Sequence, residues 1–181
     1  HMNIVNRKSK FYTIILAAGK GMRMKSDLVK VLHPICGRPM LSYVVEVAKK
    51  AGSAETLIIV GYQAETVKES LRDEDLIFIE QHEQLGTGHA VLQARERLAD
   101  YTGTIIILCG DVPLLKPSTL QYLYDRHQKA KSVVTLLTTI VNDPTGYGRV
   151  VKGQNGEVLR IVEDRDGTEE KKKIRGIGTV S

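Results

Sequence analysis

The segment Leu16-Ala17-Ala18-Gly19-Lys20-Gly21-Met22-Arg23-Met24 constrains this chain more than any other. An apolar, β-branched run at residues 12–16 leads into it and reads as a buried strand, so both glycines fall where a strand opens into a loop. Gly19 and Gly21 allow the backbone to turn tightly and to present N–H groups without a Cβ in the way. Lys20 and Arg23 add full charges, which would have no packing purpose in a plain tight turn. The combination suits a phosphate. Two other glycine motifs are excluded: a dinucleotide turn needs a third glycine where Met24 stands, and a P-loop needs Gly-Lys where Gly21 is followed by Met22.

Composition narrows the setting. With 181 residues, 42% of them hydrophobic, the chain can bury one good core, so one domain is the expectation. The net charge of +5 is mild and no basic run is interleaved with aromatics, so a nucleic-acid partner is not expected. Apolar runs such as residues 105–109 are far too short to span a bilayer, and no charged-then-apolar leader opens the chain. No membrane partner and a cytoplasmic location are therefore expected. His1-Met2 resembles a tag remnant, which leaves 3–181 as the expected domain. Cys36 and Cys109 read as small buried hydrophobes rather than a redox or metal pair. His33, His82, His89 and His127 lack zinc-site spacing, so any metal should be a hard, oxygen-liking cation held by a carboxylate and phosphates.

Strand and helix patterns alternate after the glycine loop. Helices are expected over 39–50 with a stop at Gly52, over 65–71, 88–98 and 117–129; strands over 57–60, 76–79 and 104–108. Continuous apolar strands in such an alternation predict a mostly parallel sheet with helices on both faces, a Rossmann-like α/β fold. Ligands of such sheets bind at the carboxyl ends of the strands, where Gly19 and Asp111 fall. Residues 132–141 then read as a long strand. Residues 149–151 and 158–162, joined by Asn155-Gly156, read as a hairpin with a type I′ turn, expected to lie over the site. The charged stretch 164–173 reads as a solvated turn or short helix.

Three further segments carry chemistry. Gln81-His82-Glu83-Gln84-Leu85-Gly86-Thr87-Gly88-His89-Ala90 joins a strand to a helix, and its amides and glycines can match the carbonyl and N–H edge of uracil. An ordinary polar loop before a helix accounts for the same residues equally well. Asp111, in Cys109-Gly110-Asp111-Val112-Pro113, ends a strand with a carboxylate that can hold Mg²⁺ beside phosphates; starting a turn before Pro113 is its other use. Asp143-Pro144-Thr145-Gly146-Tyr147-Gly148-Arg149 enters the hairpin and Glu163 ends it. Such groups suit sugar hydroxyls, although Glu163 taken alone also reads as a solvated strand end.

In order along the chain, L-A-A-G-K-G-M-R-M-K-S-D-L-V-K-V-L-H, Q-L-G-T-G-H-A-V, C-G-D-V-P-L-L, D-P-T-G-Y-G-R-V-V and I-V-E-D-R-D closely resemble the uridylyltransferase half of bacterial bifunctional N-acetylglucosamine-1-phosphate uridyltransferase/glucosamine-1-phosphate acetyltransferase. The glycine loop alone would also fit guanylyl- or cytidylyltransferases of molybdopterin; the second and fourth segments favour the uridylyl branch. The resemblance implies triphosphate and uridine contacts at Leu16, Ala17, Ala18, Gly19, Arg23, Lys30, Gln81, Gly86 and Thr87. It implies Mg²⁺ at Asp111 and sugar-phosphate contacts at Gly148 and Glu163. The implied reaction joins UTP and N-acetylglucosamine 1-phosphate into UDP-N-acetylglucosamine and pyrophosphate, with Arg23 and Lys30 stabilising charge and no covalent intermediate.

The chain departs from that family in three places. Val29 stands where proline is usual, and Gly178 where the family has a sugar-directed asparagine. Ser181 precedes the family's second metal-binding asparagine and its hexapeptide-repeat β-helix. The resemblance thus implies a domain incomplete at its C-terminus, a monomer or weak oligomer, and impaired turnover. A chain that holds UTP and Mg²⁺ without turning over is the alternative from a different class.

Overall fold

The computed structural model describes residues 11–21, 26–72, 75–162, 167–168 and 174–178. The chain forms two compact units, His1–Asp125 and Arg126–Ser181. In the first, β1 (Phe11–Ala17) is followed by a 3-10 turn at Lys30–Leu32, a small ribbon of β2 (Pro34–Ile35) and β3 (Arg38–Pro39), and α1 (Met40–Ala51). Then come β4 (Ser53–Val60), α2 (Ala64–Ser70), β5 (Ile77–Glu80), α3 (Thr87–Leu92), β6 (Ile105–Cys109) and the start of α4 (Pro117–Ala130). Among the described residues no helix is long and apolar enough to cross a membrane.

The main sheet has the order β5-β4-β1-β6 and every pairing in it is parallel. The chain therefore fills one side of β1 and then crosses to the other, so a topological switch point lies between β1 and β6. Side-chain alternation sorts the core onto two faces. Phe11, Ile15, Ala17, Ile58, Val60, Ile106 and Leu108 face α1, α2 and Leu120 of α4, whereas Ile14, Ala18, Leu57 and Ile59 face Ala90 and Ala94. Among the described residues β6 is an edge strand, and its Ile105 and Ile107 are exposed.

Gly52 ends α1 with φ +104°, a left-handed cap that glycine adopts without a steric penalty. The helix expected over 88–98 is helical only to Leu92. Gln93 explains the break: its side-chain amide takes the His89 carbonyl at 3.1 Å, so its backbone N–H turns to Ala90 and the chain continues in tighter turns. Cys36 also differs from expectation. It is exposed, at φ +50° in the turn between β2 and β3, because the ribbon reverses at Cys36-Gly37 rather than packing there.

In the second unit β7 (Thr138–Ile140), β8 (Arg149–Lys152), β9 (Val158–Val162) and β10 (Gly176–Gly178) form an antiparallel sheet of order β7-β10-β8-β9. The long strand expected over 132–141 shrinks to Thr138–Ile140, the three residues that find a partner in β10. The hairpin forms, but not with a type I′ turn. Of Asn155 and Gly156 only Gly156 has positive φ, +81°, and its N–H bonds the Gly153 carbonyl at 3.1 Å. That is the pattern of a longer hairpin loop with a left-handed glycine before the second strand.

Candidate functional site

The register of the parallel sheet aligns four strand ends. Leu16 lies opposite Cys109, Ala17 opposite Val60, and Val60 opposite Glu80. The residues just beyond therefore share one edge: Gln81 after β5, Gly61 after β4, Ala18 to Gly21 after β1, and Gly110-Asp111 after β6. Backbone bonds lock them together. Gly110 N–H donates to the Leu16 carbonyl at 2.9 Å, Tyr62 N–H to the Ala18 carbonyl at 3.2 Å, and Gln81 N–H to the Val60 carbonyl at 2.7 Å.

Two glycines in this edge are there for space. A Cβ on Gly61 would stand 3.0 Å from both the Cβ and carbonyl oxygen of Ala18 and 3.1 Å from the Gln81 carbonyl oxygen. A Cβ on Gly110 would meet the Leu16 carbonyl oxygen at 3.0 Å. Sequence reasoning passed over both. A glycine directly after an apolar strand was the available signal, visible for Gly61 after Val60 and Gly110 after Cys109. The loop glycines differ from each other. Gly21 has φ +65°, whereas Gly19 has no positive φ and nothing within 4 Å of its would-be Cβ, which leaves room for a ligand to approach.

Lys30 opens the 3-10 turn and reaches the end of β6, where its Nζ lies 2.5 Å from Asp111 Oδ2. The side chains are 41% and 31% exposed, so both remain reachable from solvent. Val29, where the resemblance leads to proline, adopts ψ 138° with φ −56°, a φ that proline itself fixes. Lys20 points elsewhere, 5.1 Å above the Tyr62 ring.

Gln81 is buried, 4% exposed. Its Nε2 donates to the Gly86 carbonyl at 3.3 Å and to His89 Nδ1 at 2.9 Å. Because the carbonyl can only accept, the amide nitrogen is fixed on that side and Oε1 is the acceptor the side chain keeps. Gly86 has φ +102° and ψ −180°, a glycine conformation, and precedes Thr87, the first residue of α3.

In the second unit Gly148 is buried and follows a turn in which Thr145 N–H bonds Asp143 Oδ1 at 3.0 Å. That bond, with the Thr145 side chain first, holds the Asp143 carboxyl below its usual range. Gly178 pairs with Thr138 in the sheet. Arg23 and Glu163 lie outside the described residues, as does most of 164–173.

Among the described residues no three His, Cys, Asp or Glu side chains gather into a metal cage. Asp111 offers one hard oxygen ligand beside the glycine loop. That donor set fits Mg²⁺, which takes one or two carboxylates and completes its shell with waters and phosphates, and it does not fit zinc.

The mostly parallel sheet with flanking helices is a nucleotidyltransferase-like fold. A solved structure of UDP-glucose pyrophosphorylase complexed with UDP-glucose overlays on 94% of this chain and 74% of its own, with a TM-score of 0.71 at 20% sequence identity. Residues 13–163 match the MobA-like NTP transferase domain family, and the chain belongs to it. It is also 49% identical over 172 residues to the bifunctional protein GlmU of Geotalea daltonii and 50% identical over 165 residues to that of Geobacter metallireducens. These alignments take in 94% and 91% of this chain but 38% and 35% of the relatives' own lengths.

Proposed function

We propose that this domain binds UTP along the carboxyl edge of its parallel sheet and transfers the uridylyl group to N-acetylglucosamine 1-phosphate. The observation that carries the reading is the meeting of Gly21, Lys30 and Asp111 at the switch point between β1 and β6. Gln81 lies at the far strand of the same edge, three strand spacings or about 14 Å from Asp111 at the end of β6. A nucleotide extended along the edge has its phosphates at one end and its base at the other.

The roles follow from chemistry. Leu16, Ala17, Ala18 and Gly19 offer backbone to the nucleotide, and Lys30, with Arg23, supplies positive charge to the triphosphate. Asp111 would hold Mg²⁺, which neutralises phosphate charge when bound. Gln81, Gly86 and Thr87 read the uracil, and Gly148 and Glu163 contact the sugar phosphate. A phosphate oxygen of the sugar phosphate attacks the α-phosphorus of UTP; the bond to the β-phosphate oxygen breaks and pyrophosphate leaves. The protein's part is alignment and charge neutralisation, which suffices for phosphoryl-group chemistry.

The names of the GlmU relatives and the family match support the nucleotidyl half of this reading. The test is coupled pyrophosphate release from UTP with Mg²⁺, with and without N-acetylglucosamine 1-phosphate. Release that depends on the sugar phosphate is the expected result. UTP binding without such release would support the alternative of a nucleotide-holding domain, to which Gly178, lacking the sugar-directed amide, contributes.

A further inference from the structure

Gln63 lies just past the end of β4 and is not among the residues assigned above, yet its side chain spans to the segment that delivers Lys30. Its Oε1 accepts from Val29 N–H at 2.9 Å, and its Nε2 donates to the Asp27 carbonyl at 2.7 Å. One amide thus clamps both a donor and an acceptor of the strand of chain that returns from the glycine loop. The preceding residue acts on the other stem of that loop, since Tyr62 N–H bonds the Ala18 carbonyl. Residues 62–63 therefore tie together the departure and the return of the loop.

The backbone at Gln63 is in an uncomfortable conformation for this purpose. Its φ of +54° and ψ of 40° are left-handed, a region that costs a non-glycine residue energy and would suit glycine better. Its amide gives a reason to retain a side chain here, because glycine would free the backbone and lose both bonds. Strain of this kind persists where surrounding contacts demand it.

We infer that Gln63 is a positioning residue: it sets Lys30 toward the triphosphate by holding residues 27–29, without touching the nucleotide. This rests on the proposed role of Lys30. Val29 supplies a way to test the mechanism. With φ −56° it already has the backbone angle that proline fixes covalently, so proline at 29 should hold the same stem without the N–H that Gln63 binds.

Calorimetric titration with UTP in the presence of Mg²⁺, paired with thermal unfolding of each variant, tests the inference. Lys30→Ala should weaken UTP binding about tenfold. Gln63→Gly should weaken it about three- to tenfold with only a small change in Tm, because relief of the left-handed backbone offsets part of the two lost bonds. In the Lys30→Ala background the same change should add less than about twofold, the non-additivity expected of residues acting through one another. Val29→Pro combined with Gln63→Gly should return affinity to within about twofold of wild type. Wild-type binding by Gln63→Gly while Lys30→Ala is weakened would overturn the inference, and so would equal losses in both backgrounds. If Lys30→Ala itself binds UTP normally, the reading of Lys30 fails first and takes the inference with it.

Discussion

Gly21 turns directly against Lys30: at φ +65°, a Cβ on residue 21 would stand 2.5 Å from the Lys30 Cβ. The glycine of the loop and the lysine nine residues on are therefore one packing unit. Gly21→Ala should cost about 1–3 kcal/mol of stability through the left-handed backbone and the clash together, and it should also weaken UTP binding by pushing Lys30 aside. Gly19→Ala is the control for space. With nothing within 4 Å of its Cβ position, it should leave the Tm unchanged and lower only nucleotide affinity. Differential scanning calorimetry beside UTP titration separates the two, and equal Tm values for both variants would contradict the packing account.

Lys30 and Asp111 should part company when either is changed. Their ion pair is partly exposed, so its loss should cost no more than about 1 kcal/mol of stability. Asp111→Asn keeps the size and removes the charge that would hold Mg²⁺. Its UTP affinity should lose most of its Mg²⁺ dependence, whereas Lys30→Ala should bind more weakly with or without the ion. Titrations in Mg²⁺ and in chelator decide this; full Mg²⁺ dependence in Asp111→Asn would remove that residue from the metal role.

The parallel sheet was legible because residues 14–16, 57–60 and 105–108 are apolar at successive positions, the pattern of strands in a parallel sheet, although in β6 Ile105 and Ile107 are exposed. The meeting of the glycine loop with Asp111 was legible for a related reason: both follow strands, and strand ends of such sheets converge on one edge. Gln63 was not. Nothing in Val60-Gly61-Tyr62-Gln63 signals a left-handed residue whose amide reaches thirty-four positions back to Val29. Long-range side-chain clamps leave no periodicity. Gln93 shows the opposite failure, where a residue of good helical propensity breaks α3 by bonding a carbonyl with its side chain. Likewise, among the described residues β7 pairs only over Thr138–Ile140, which the β-branched run at 132–141 could not reveal.

Lys68 ties α2 to β5, with Nζ 2.6 Å from Glu80 and 2.8 Å from Glu65. The hydrogen bond from Lys68 holds the Glu80 carboxyl below its ordinary value of 4.5. The hydrogen bonds that it donates to Glu65 first and then to Glu80 raise the lysine above 10.5. For the lowered carboxyl, stability is present above the unfolded value and lost as pH falls through the folded one; for the raised lysine, it is present below the unfolded value and lost as pH rises. The gap in unfolding midpoint between the native chain and Lys68→Met should thus be steady from about pH 5 to about pH 10 and shrink outside that window. It should also shrink in high salt, since these groups lie at the surface. A gap that persists undiminished at pH 3 would show that the methionine acts through packing instead.

Base choice should follow from the one amide atom left to a ligand. Gln81 Nε2 is occupied by Gly86 and His89 Nδ1, so Oε1 presents an acceptor. Uracil meets it with the N3–H donor, whereas cytosine brings an unprotonated N3, and two acceptors face each other. Leaving such a buried group unpaired costs about 1–3 kcal/mol, so UTP should bind roughly ten- to a hundredfold more tightly than CTP. His89→Ala makes the explanation specific. It removes the shorter of the two bonds that hold Nε2 and leaves the 3.3 Å bond to the Gly86 carbonyl, so the amide is held less firmly and offers its donors to cytosine part of the time. UTP should then bind less tightly, CTP should gain relative to it, and the ratio should fall toward one. Competition titrations of both nucleotides on both proteins give that ratio directly. If His89→Ala weakened the two nucleotides equally, the orientation of the Gln81 amide would not be the source of selectivity.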